Sequence, residues 1–148
     1  MTTTITECNM KRKYINRDPC VITIDGEPAS KANSRRLVYI KGRAVFIKSK
    51  KALSYKKAFE LQCPTRKDLY KKGQDLVVAM KIFYKTRRPD LDESLILDLL
   101  EGLVYENDRQ VKMKYIEWGL DKERPRTHIV ISTIDNKEKV IETLLDNI

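Results

Sequence analysis

The stretch Leu76–Tyr84, LVVAMKIFY, constrains the fold of this chain more than any other, because Lys81 is its one charged residue. A β-branched apolar run of this length reads as a long, central strand. Shorter signals surround it. Cys20–Ile24 (CVITI), bounded by Pro19 and Asp25-Gly26, reads as a strand and a turn. Leu37–Ile40 and Arg43–Ile47 flank Lys41-Gly42, the pattern of a hairpin. Ser49 is placed to cap a helix over Lys50–Gln62, with Ala52, Tyr55, Ala58, Phe59 and Gln62 on one face. A short helix is expected over Glu93–Glu101, apolar nearly all round and ended by Gly102. Val111, Met113 and Tyr115 alternate with Lys112 and Lys114, as in a half-buried strand. His128–Ile134 reads as a further strand. Asp135 with Glu138 resembles a capping box opening a last helix. The expected fold is α+β: a single domain over residues 1–148 with a mixed β-sheet flanked by helices. The polar first 18 residues are expected to be a flexible N-terminal segment.

Charge is distributed unevenly. The chain carries a net +9, but residues 1–74 hold 18 basic and 6 acidic side chains, a net +12. A polyanion is the partner such a half suggests. Its cations include Lys31, Arg35 and Arg36 in a small, polar segment, then Lys48, Lys50 and Lys51 at the start of the first helix. Few aromatics argue against a platform that stacks single-stranded bases. Cys8, Cys20 and Cys63 are widely spaced, and there is one histidine, His128. That set makes no zinc motif and reads as reduced thiols in a cytoplasmic protein. No apolar run approaches the ~20 residues of a membrane helix, so no membrane partner is expected.

Against this basic background one window stands out. From Asp90 to Asp108 lie Asp90, Asp92, Glu93, Asp98, Glu101, Glu106 and Asp108, with no Lys or Arg. Pro89 keeps the approach to Asp90 extended, and in extended chain residues i and i+2 point the same way. Asp90 and Asp92 therefore pair. Asp108 follows the short helix, and the returning chain could bring it near them. Carboxylates sharing a small volume call for a cation, and an all-oxygen set suits magnesium or manganese. Such ions activate water and offset charge in phosphodiester cleavage. The remaining acids have plainer readings as helix-start, solvated-face and turn residues. Arg87, Arg88 and Arg109 flank the window, placed to steer a phosphate or to offset the acids.

RRPDLD, the short helix and LEGLVYENDRQV together resemble the RusA-type Holliday junction resolvases, crossover junction endodeoxyribonucleases common in prophages. GEPASKANSRR and FIKSKKALSYKKAFE are similar to the first half of that family. The resemblance covers roughly Val21 to Ser132. It implies that Asp90, Asp92 and Asp108 are the catalytic, metal-binding acids, with magnesium as cofactor and manganese able to substitute. It also implies a homodimer that cuts four-way DNA junctions symmetrically, in recombination and repair. Three positions depart from the family pattern: Glu93 and Asn107 replace the usual Asn and Asp, and Ser94–Leu97 lacks the helix lysine. Lys81, Lys85, Lys112 and Lys114 are candidate substitutes. Two other readings compete: a branched-DNA-binding protein of the same fold with impaired catalysis, and a small basic RNA- or ribosome-associated protein whose acidic window is a solvated face.

Overall fold

A computed structural model of the chain describes residues 18–30, 35–63, 65 and 69–148. The N-terminal segment other than Asp18, together with Cys8 and Lys31, lies outside the described residues. The strands are β1 (Cys20–Asp25), β2 (Arg35–Ile40), β3 (Arg43–Lys48), β4 (Leu76–Tyr84), β5 (Val111–Leu120) and β6 (Arg126–Thr133). The helices are α1 (Lys50–Gln62), α2 (Ser94–Leu100) and α3 (Lys137–Asp146). Four strands make one sheet in the order β1-β6-β4-β5, while β2 and β3 form a separate hairpin. β6 runs antiparallel to both β1 and β4, and β5 runs parallel to β4. The sheet is therefore mixed and the fold is α+β, as the sequence predicts.

β4 is buried along its whole length except at Lys81, which is half-buried. The reason is layering. One sheet face, built from Ile22, Ile24, Val78, Met80, Ile82, Ile129 and Ile131, packs with Tyr55 and Phe59 of α1 and with Ile96 and Leu100 of α2. On the other face Val77, Ala79 and Val130 meet Val140 and Leu144 of α3. A strand covered on both faces has no use for polar alternation.

Ser49 Oγ accepts from the Ala52 N–H at 3.2 Å, the expected cap of α1. The start of α3 differs from expectation. A short 3-10 turn, Ile134–Asn136, precedes it, and Asn136 is the cap residue without a side-chain cap bond. The Asn136 amide instead donates to Ser132 Oγ and to Asp18, at 3.1 and 3.3 Å. Asp18 also accepts from Tyr70 and Ser132, so side-chain bonding there ties separate segments together rather than capping the helix.

The β4–α2–β5 unit sets the geometry of the acidic window. Parallel neighbours need a crossover, and α2 lies within it. Leu76, at the start of β4, aligns with Val111, at the start of β5. The loop leaving β4 and the turn entering β5 therefore belong to opposite ends of the crossover.

Candidate nuclease site

Asp90 and Asp92 lie in the loop that leaves β4, and one hydroxyl organises that loop. The Tyr84 hydroxyl donates to the Asp90 carbonyl and accepts from the Asp92 N–H, both at 3.3 Å. Burial chiefly, and the carboxylates of Asp92, Glu27 and Glu93, push this phenol above its ordinary range, so it stays protonated. Its ring stacks on Trp118 with centroids 5.9 Å apart, and Trp118 Nε1 donates to the Pro89 carbonyl at 3.1 Å. The tryptophan is thus a brace beneath the loop. Asp92 Oδ1 accepts from the Ser94 N–H at 3.0 Å, at the start of α2. Asp90 is exposed and Asp92 half-buried.

Both aspartates open into a pocket of about 430 Å³ that also takes in Ser30, Lys51, Tyr84 and Arg88. Glu27 contacts one of its lining residues, Lys51. Its carboxylate accepts from the Lys85 N–H at 3.0 Å and meets Lys51 Nζ at 3.4 Å. Nothing local marks Glu27 in the sequence, because its two partners lie on α1 and at the end of β4.

Asp108 sits elsewhere. It is exposed and begins the 3-10 turn Asp108–Gln110 at the entry to β5. Asn107 caps that turn, accepting from the Arg109 N–H at 2.9 Å. Gln110 Oε1, on the side chain, accepts from the N–H groups of Glu106 and Asn107, each at 3.2 Å. Its amide donates to the carbonyls of Lys71 and Gln74, at 3.0 and 3.1 Å. Gln110 is therefore structural, which its place in a polar turn does not reveal. The nearby Tyr105 hydroxyl donates to the Leu97 carbonyl at 2.9 Å, on the last turns of α2. Burial first, then the carboxylates of Asp108, Glu101 and Asp98, raise its pKa. Five of the seven acids thus divide into two groups, Asp92 and Glu93 near Tyr84 and Asp98, Glu101 and Asp108 near Tyr105.

The expected convergence of Asp108 on Asp90 and Asp92 is not seen within this chain. The crossover topology is the reason, since α2 separates the loop from the turn. Oxygen-only donors suit a hard divalent cation, and two of the three share a pocket. Even so, among the described residues no group of three or more His, Cys, Asp or Glu side chains could hold a metal ion.

The basic residues are spread around these features. Arg35 and Lys48 face each other across the open end of the hairpin. With Lys56, Asp98 and Glu101 they line a second pocket, of about 760 Å³, between α1 and α2. Arg36, Lys50, Arg87, Arg88 and Arg109 are exposed. Two of the candidate substitute lysines are ion-paired: Lys81 with Glu117 at 3.1 Å, and Lys114 with Glu93, next to Asp92, at 2.8 Å.

Residues 25–132 match the family profile of endodeoxyribonuclease RusA, which is well over half of the chain. The chain belongs to the RusA family. The match begins at the end of β1 and ends within β6, so it takes in both aspartates of the pocket and the Asp108 turn. Membership in the RusA family implies endodeoxyribonuclease activity on Holliday junctions. No curated protein matches the chain. Among the described residues no helix is long and apolar enough to cross a membrane.

Proposed function

We propose that this RusA-family chain is a metal-dependent, structure-selective endonuclease that resolves four-way DNA junctions by paired cuts, acting as a homodimer in the cytoplasm. Asp90, Asp92 and Asp108 are the proposed metal-binding, catalytic acids, Asp108 joining the other two from the second protomer of the homodimer, with magnesium as the ion and manganese able to replace it. When bound, the ion would supply positive charge against the scissile phosphate and a more acidic water. The observation that supports this reading is the pocket in which Asp90 and Asp92 open beside Lys51 and Arg88. Carboxylates and phosphate-binding cations there share a space wide enough for a backbone phosphate. Arg35, Arg36, Lys48, Lys50, Arg87 and Arg109 are the proposed phosphate contacts outside it, with Lys31 of the segment that is not described. Such contacts position DNA and carry little sequence information.

A second reading, a junction-binding protein with impaired turnover, draws on the placement of Asp108 at the far end of α2. One experiment separates them: cleavage of a mobile four-way junction beside a linear duplex, with and without magnesium, for wild type and Asp90→Asn. We expect metal-dependent paired nicks in the junction alone, and a loss of at least about 100-fold in rate for Asp90→Asn with binding retained. Tight binding without nicks under any metal would favour the second reading.

A further inference from the structure

The pocket contains a lysine whose position the helix does not favour. Lys50 and Lys51 occupy the first turn of α1, where no acidic residue stands. A helix N-terminus carries partial positive charge and disfavours cations. Lys51 nevertheless lines the pocket that holds Tyr84, Arg88, Asp90 and Asp92. Glu27 holds it there at 3.4 Å, and the Lys85 N–H fixes Glu27 in turn. The Lys51 side chain is 52% exposed, so this ion pair is weak enough for a phosphate oxygen to share or displace. Helix α2 offers no alternative: its sequence SLILDLL has no cation, and Ile96 is fully buried. Lys85 and Lys112 are not among the residues lining the pocket.

We propose that Lys51 contacts a non-bridging oxygen of the scissile phosphate, across the pocket from Asp90 and Asp92, with Glu27 as its positioning residue. The step it assists is hydrolysis. A bond forms between a water oxygen and phosphorus, the bond from phosphorus to the leaving sugar oxygen breaks, and that oxygen takes up the proton water gives up. Lys51 transfers no proton. It offsets negative charge that grows on the phosphate oxygens as the transition state forms. This assignment rests on the nuclease reading.

The test is single-turnover cleavage of a four-way junction with protein in excess, beside junction affinity by fluorescence anisotropy. Lys51→Met should lower the rate at saturating protein at least 30-fold while affinity changes less than threefold. Lys51→Arg should recover most of the rate. Glu27→Gln should lower the rate severalfold with an unchanged melting temperature. An active wild type with an unimpaired Lys51→Met would overturn the assignment alone. Equal losses of rate and affinity would also overturn it, since they would make Lys51 a general phosphate contact. An inert wild type would overturn the nuclease reading and this assignment with it.

Discussion

His128 illustrates how a single residue escapes a sequence reading. A lone histidine invites a chemical role, yet both ring nitrogens are engaged within the fold. Thr23 Oγ1 lies 3.1 Å from Nδ1, and Arg126 Nε donates to Nε2 at 3.1 Å. A ring that accepts at Nε2 is neutral, with its proton on Nδ1. Burial first, and the Arg126 guanidinium second, hold its pKa below the ordinary value. Unfolded, the imidazole titrates near about 6.5. As pH falls through that value the unfolded chain takes up a proton that the folded chain still refuses. Stability is therefore full above about pH 6.5 and declines as pH drops toward the folded pKa. Asp121, lowered by the Arg124 N–H and the Arg126 side chain, affects a separate window below about pH 4. We expect the melting temperature to fall between pH 7.5 and pH 5, and His128→Gln to flatten that fall. Thermal melts of the two proteins at both pH values check it.

At the scale of elements, α2 decides most. It has seven residues, of which Leu95, Ile96, Leu99 and Leu100 are buried. Ile96 is fully buried, so a lysine there would carry its ammonium away from solvent. We expect Ile96→Lys to cost at least about 3 kcal/mol, read from urea denaturation. In contrast, Ser49→Ala should cost about 1 kcal/mol by the same measurement, since it removes one cap bond from α1. The elements themselves were legible. Periodicity and cap residues locate β1, the hairpin, α1, β4 and α2 to within a residue or two, because each signal is local. What was not legible is pairing. No local pattern says that β5 lies parallel to β4, and that fact alone puts Asp108 at the other end of the crossover from Asp90 and Asp92. The same holds for Glu27, whose contacts with Lys51 and Lys85 span 24 and 58 residues. The Asp135–Glu138 pattern failed for a different reason: β6 runs into a 3-10 turn, so the cap position moves to Asn136.

For the whole molecule, charge is the organising quantity. The first half of the chain carries Arg35, Lys48, Lys50, Lys51 and Lys56, which gather at the hairpin ends and α1. Arg35, Lys48 and Lys56 line a pocket with Asp98 and Glu101, and Lys51 lines another with Asp90 and Asp92, so a phosphate chain laid over α1 would meet cations beside the aspartates. Each phosphate neutralised releases counterions, and affinity should fall steeply with salt. We expect junction affinity to drop about 1,000-fold or more between 50 and 200 mM salt, as six or more phosphate contacts require. Anisotropy titrations across that range check it, and a flat response would remove the basic surface from the account.

The turn beneath Asp108 has one more consequence. Its ties are amides: Asn107 to Arg109, and Gln110 to four backbone groups on two segments. An amide carries no charge to titrate and little for ions to screen, so this mooring holds equally in acid, in base and in brine. Asn107 supplies its acceptor without a charge. A pH–rate profile measured on this protein will therefore report on its reacting groups, with the scaffold under Asp108 contributing no inflection of its own.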